Sequence, residues 1–256
     1  MTILLHNLPN ITVLCIRPLH PFLQIALLEG YSAKLVMLKI HSSIGEASSW
    51  GTVNLPCLET LEIVEDCSDM QGSLVTHFTK YVCAPKLRNA SLVAATEMPV
   101  FGVIEFLIAF GELLEVVKVI GTIVPYGRDR TIFPPLPNVR IASLELVLAT
   151  EFLTRTPGGV VRWPKLETLI LESDWLTIET EFFREVNWVG LKECLLILTP
   201  PPTIICGYRA SVPVLGETFR RMFIDKIAKG TGGWDISSVF TVGQIKCDPM
   251  YQTIVE

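Results

Sequence analysis

Charge is scarce in this chain. Only 18% of its 256 residues are Asp, Glu, Lys or Arg, with 21 basic against 26 acidic residues and a net charge of −5. Pairs such as Arg128 with Arg130 and Arg220 with Arg221 do not make the stripe that a phosphate backbone demands, so no nucleic-acid partner is expected. The four histidines, His6, His20, His41 and His77, lie far apart in no metal-ligand spacing, and the seven cysteines form no CxxC pair. That pattern predicts neither a metal nor any other cofactor, nor an enzyme, and an odd, scattered set of thiols suits a reducing compartment, the cytoplasm or nucleus. Met1 to Ile16 contains no Lys or Arg and is broken by His6, Asn7, Pro9 and Asn10, so a secretory leader is not expected. The longest apolar stretch, Met98 to Val124, carries Glu105, Glu112, Glu115 and Lys118, charges that would be costly in lipid, so no membrane partner is expected either.

Smaller candidates for chemistry have plainer readings. Gly230-Thr231-Gly232-Gly233 lacks the Gly-Lys-Ser/Thr ending of a phosphate loop and reads as a helix stop. Cys57 and Cys67 read as free thiols. Glu59, Glu62, Glu65, Asp66 and Asp69 read as a solvated acidic patch. The sequons at Asn10 and Asn89 are not expected to be used without a leader.

What the chain does have is hydrophobic residues, half of the total, and they recur with a period. The pattern L-x-x-L-x-L, with any aliphatic residue at each L, falls at Ile11-Leu14-Ile16, Leu35-Leu38-Ile40, Leu58-Leu61-Ile63, Leu87-Ala90-Leu92, Leu114-Val117-Val119, Val139-Ala142-Leu144, Leu166-Leu169-Leu171 and Leu191-Cys194-Leu196. Successive intervals are 24, 23, 29, 27, 25, 27 and 25 residues, within or close to the roughly 20 to 29 of leucine-rich repeats. Proline is an independent marker: Pro9, Pro56, Pro85, Pro137 and Pro164 each stand two residues before the first aliphatic, where the proline content predicts about half of one occurrence in eight repeats. A proline there suits the entrance of a strand, where a missing N–H forfeits little.

Each repeat then supplies a strand whose second and third aliphatics point into a core. The fold class expected is α/β, a leucine-rich-repeat-like solenoid or horseshoe, with parallel strands on the concave face and irregular helices on the convex face. The array of about eight repeats occupies 1–199, and a capping segment with one helix, from about Val214 to Lys229, occupies 200–256. Helices are predicted over Leu74 to Cys83, Val100 to Phe110 and Leu176 to Val186, and loops over Pro125 to Pro135 and much of Ser42 to Asn54. The tail from Ile204 to Met222 is expected to cover Ile170, Leu195 and Ile197. Residues flanking the inward aliphatics line the concave face, the usual binding surface of a solenoid. The candidates there for contact with a protein ligand are Arg17, Lys39, His41, Glu62, Lys118, Glu145 and Glu172.

The Leu-Pro-x-Leu-x-x-Leu-x-Ile units, the irregular helices and the closing Arg220-Arg221-Met222-Phe223 helix before Gly230 resemble the F-box and leucine-rich-repeat-like proteins of mushroom-forming fungi, over nearly the whole chain. The resemblance implies a substrate-recognition region of an F-box type ubiquitin-ligase subunit, with a Skp-type adaptor as partner only if an F-box exists upstream, since the F-box itself is not seen here. The alternative is a truncated or decayed paralogue, acting as a scaffold or without a present partner.

Overall fold

The computed structural model describes residues 11–16, 28, 30–42, 51–65, 73–124, 133–145, 149, 163–173, 202–208 and 240–242. The chain is of the α/β class with parallel strands and divides into two units, Met1–Val139 and Arg140–Glu256; both described helices lie in the first.

The prolines set the period by making turns. In Leu55-Pro56-Cys57-Leu58, Ala84-Pro85-Lys86-Leu87, Leu136-Pro137-Asn138-Val139 and Trp163-Pro164-Lys165-Leu166, the last N–H donates to the carbonyl of the first residue at 3.1, 3.2, 3.4 and 3.3 Å. Proline occupies the second position of each turn, where its fixed φ of about −65° is already correct. Its role is therefore bending the chain four residues before the strand begins, and not opening the strand as the sequence suggested. The residues that bracket each turn are buried, so every turn is also nailed to the core.

One residue past the first aliphatic, a single carbonyl accepts two N–H groups from the following repeat. Thr12 O receives Val36 and Met37, Val36 O receives Glu59 and Thr60, Glu59 O receives Arg88 and Asn89, and Arg88 O receives Glu115 and Val116. In the second unit Arg140 O receives Glu167 and Thr168, and all ten bonds lie between 2.8 and 3.1 Å.

In the first unit this places β1 (Val13–Ile16), β2 (Met37–Ser42), β4 (Thr60–Glu65), β6 (Asn89–Pro99) and β7 (Val116–Val124) side by side in that order, all parallel. A short separate pair joins β3 (Val53–Asn54) to β5 (Val82–Cys83). Register follows the repeat: Leu14, Leu38, Leu61, Ala90 and Val117 lie opposite one another, as do Ile16, Ile40, Ile63, Leu92 and Val119. From β2 onward these side chains are buried, each leucine-sized one contributing about 1.5–3 kcal/mol.

Helices α1 (Leu74–Tyr81) and α2 (Val100–Phe110) pack on that side of the sheet. Helix α1 ends two residues earlier than its apolar spacing suggested, because Val82 and Cys83 turn extended to pair with β3. Phe78 of α1 meets Phe106 and Phe110 of α2 at centroid distances of 6.3 and 6.0 Å, and those two rings are 4.9 Å apart. The helices approach closely at Gly102, where a Cβ would lie 2.8 Å from Thr76 Oγ1. Between Val93 and Glu97 the β6 strand bulges, so that three of its residues face the single Gly121 of β7. Gly121 has φ +135°, and a Cβ there would lie 2.8 Å from Ala94 Cβ and 2.9 Å from Ala94 O. Only glycine tolerates both conditions.

The second unit holds β8 (Ile141–Glu145), β9 (Thr168–Ser173), β10 (Thr203–Tyr208) and β11 (Phe240–Val242), again parallel. Ala142 lies opposite Leu169 and Leu144 opposite Leu171, all buried. The strand beside β9 is β10, with Ile205 opposite Ile170. The segment expected to cap the array, as an extended piece followed by a helix, begins with a strand of the sheet: after Pro200-Pro201-Pro202, which bars a helix, the β-branched run Thr203-Ile204-Ile205 extends and pairs. The helices predicted at Leu176 to Val186 and Val214 to Lys229, the strand at Leu191 to Leu196 and most of the loop at Pro125 to Pro135 lie outside the described residues.

Candidate protein-binding face

Because side chains alternate along a strand, the residue between the second and third aliphatics of each repeat points away from the helical layer. Register aligns these residues in the first unit as Cys15, Lys39, Glu62, Ser91 and Lys118, one per strand. Three of the candidate contact residues, Lys39, Glu62 and Lys118, therefore share one row. Lys39 Nζ lies 2.7 Å from Glu62 Oε1, and the two side chains are 12% and 20% exposed, so the pair is partly shielded and keeps an aqueous side.

The next row behaves differently. His41 is followed in register by Val64, Val93 and Ile120, and these three aliphatics form a buried cluster. The face is thus polar and half-open along the Lys39 row and buried along the row of Val64, Val93 and Ile120. In the second unit Glu145 and Glu172 are register partners on β8 and β9. Arg17 lies outside the described residues.

Of the acidic patch expected from Glu59 to Asp69, the described members Glu59, Glu62 and Glu65 are dispersed by the same alternation, and Asp66 and Asp69 lie outside the described residues. Glu59 stands exposed before β4, Glu62 pairs with Lys39, and Glu65 turns to the helical side, where it is only 5% exposed. Its Oε1 accepts the Ser73 hydroxyl and the Val75 N–H, each at 3.0 Å. It thereby caps the first turn of α1, a role that Ser73 itself does not fill. Burial pushes the Glu65 carboxyl above its ordinary value near 4.5, outweighing the opposing bonds from Val75, Ser73 and Leu74 and the nearby His77. The folded state therefore binds this proton more tightly than the unfolded chain, and stability from this group falls as pH rises from about 4.5 through the folded value. Thermal melts between pH 4 and 8 should show Glu65→Gln gaining on the parent as pH rises; parallel curves would contradict the assignment.

Other sequence candidates resolve simply. His77 Nδ1 lies 3.0 Å from Ser73 O, and the Asn89 amide donates to Thr60 Oγ1 at 3.2 Å. Cys57 is half-buried and free, while Cys67 lies outside the described residues. No group of three or more His, Cys, Asp or Glu that could hold a metal ion occurs among the described residues, and no helix among them is long and apolar enough to cross a membrane.

One pattern escaped a reading built on aliphatics. The residue after the first aliphatic alternates in sign through six repeats: Glu59, Arg88, Glu115, Arg140, Glu167 and Lys192. Within the first unit Arg88 Nη1 meets Glu115 Oε1 at 3.0 Å, and within the second Arg140 holds Glu167 through two bonds of 2.8 Å. The Arg140 guanidinium lowers the Glu167 carboxyl below its ordinary range. Such exposed pairs add little stability, but each of the two matches one repeat to the next by sign. No protein-family model matches the chain, and no curated protein matches it.

Proposed function

We propose that the chain is a leucine-rich-repeat-like horseshoe whose sheet face holds a protein ligand, as the substrate-recognition region of an F-box type ubiquitin-ligase subunit acting in the cytoplasm or nucleus. The supporting observation is the Lys39, Glu62, Ser91 and Lys118 row: one polar residue per repeat, in register, on the layer that the helices leave uncovered. Its mixed charge suits the polar rim of a protein interface, with partner charges setting specificity more than affinity. A Skp-type adaptor would join through an F-box upstream of the repeats. Free Cys15, Cys57 and Cys83 fit a reducing compartment.

The Lys39–Glu62 pair allows a test that separates binding from folding. Exchanging the two as Lys39→Glu with Glu62→Lys keeps an internal ion pair but reverses the polarity that a partner meets. With Lys118→Glu added, the variant should retain the parent melting temperature within a few degrees. Capture of partners, quantified by crosslinking in the native cells, should fall at least about tenfold, and the captured substrate should persist longer in cells carrying the variant. Unchanged capture would mean that this row does not hold the partner, and would leave a truncated or decayed paralogue acting as a scaffold as the better reading.

A further inference from the structure

We infer that the outer stripe of α2 is a docking site for a basic amphipathic helix of a partner protein. Phe101 and Ile108 are 55% and 67% exposed, and Glu105 and Glu112 are exposed between and beyond them. Along the chain they run apolar, acidic, apolar, acidic in steps of four, three and four residues. That spacing puts all four on one face, about 4.5–6 Å apart along the axis. Glu112 sits in the turn that continues the helix.

The fold holds this face outward. Val103, Phe106, Leu107 and Phe110 are buried on the opposite side, and Phe106 and Phe110 are committed to Phe78. The close approach at Gly102 leaves no room to roll the helix toward α1. Phe101 and Ile108 therefore cannot be buried by a small rotation without dismantling the aromatic cluster.

Charge decides the occupant. Helix α2 contains no basic residue, so its stripe presents two carboxylates beside two large apolar groups. A second copy fits poorly. Antiparallel pairing about the stripe's midpoint sets Glu112 on Phe101 and Glu105 on Ile108, and parallel pairing sets each carboxylate on its twin. Either arrangement buries charge without a partner. A lipid surface fits no better, since seating Ile108 in the acyl region carries both carboxylates toward it and anionic headgroups repel them. A helix with apolar and Lys or Arg residues alternating at the same steps answers all four positions: its apolar groups cover Phe101 and Ile108, and its cations meet Glu105 and Glu112.

The probe is a fluorescein-labelled, alanine-based peptide of roughly 18 residues, long enough to form a helix, with Leu and Lys alternating at four-three-four spacing. A second peptide carries Glu for Lys. Anisotropy titrations at about 150 mM salt should show saturable binding of the basic peptide to the whole chain, weakened at least about tenfold by Ile108→Ser and by Glu105→Lys with Glu112→Lys. The acidic peptide should bind the double-lysine variant and not the parent, an outcome that misfolding cannot imitate. Absence of binding, or binding indifferent to Ile108→Ser, overturns the inference. So does self-association, or sedimentation with phosphatidylserine vesicles, that Ile108→Ser abolishes.

Discussion

Phe106→Ala should cost the first unit about 3–5 kcal/mol, the range for truncating a fully buried aromatic residue. Phe106 lies between Phe78 on α1 and Phe110 on α2, 6.3 and 4.9 Å away, so its loss opens a cavity at the seam between two helices. The neighbours cannot close it cheaply. Phe78 is anchored in a helix whose first turn is capped by Glu65, and α2 already touches α1 at Gly102. Urea titration should show a lower midpoint with an unchanged slope, the mark of altered stability alone. Ile108→Ala, two residues along the same helix but exposed, should stay within about 0.5 kcal/mol of the parent. Equal costs for the two would mean that the aromatic cluster does not hold the helices together.

Gly121→Ala should be nearly as damaging for a different reason. The backbone at φ +135° costs a residue with a Cβ about 1–3 kcal/mol. The new methyl would also press on Ala94, whose carbonyl oxygen belongs to the backbone of the β6 bulge and cannot swing aside, adding about 1–3 kcal/mol of overpacking. Adding Ala94→Gly removes one of the two close atoms and neither the strained φ nor the carbonyl contact. The double variant should therefore recover only part of the loss in a thermal melt. Full recovery would show that backbone conformation at position 121 carries no cost.

How much of this could be seen beforehand differs from residue to residue. Leu61 and Ile63 announce their partners because a parallel sheet of repeats lines up equivalent residues, and the aliphatic period alone specifies that alignment. The prolines gave the correct phase and the wrong role, since a turn and a strand entrance both accept a fixed φ and a missing N–H. Val64, Val93 and Ile120 sit at outward positions yet are buried, because a strand covered on both faces reads as a continuous apolar run with no alternation to betray it. Glu65 was hidden among acidic neighbours: its helix begins nine residues later, and no local pattern tells a capping carboxylate from a solvated one. Among the candidate contact residues, Lys39, Glu62 and Lys118 were legible as a row, but the ion pair within it depended on side-chain reach. The entry of β10 into the sheet was not legible. From Thr168 at the start of β9 to Thr203 at the start of β10 is 35 residues, longer than any earlier interval.

The doubly accepting carbonyls at Thr12, Val36, Glu59, Arg88 and Arg140 make each repeat a segment of two kinds. From the turn to the third aliphatic the length is invariant: one residue inserted there would transfer every later side chain of that strand to the opposite face and misplace the next pair of N–H groups. The connectors carry no such constraint, since doubling a loop costs only about 0.6 kcal/mol of closure entropy. Natural variation in length, and any peptide grafted into this scaffold, belongs in the connectors. There the chain can acquire new sequence while the sheet it hangs from stays in step.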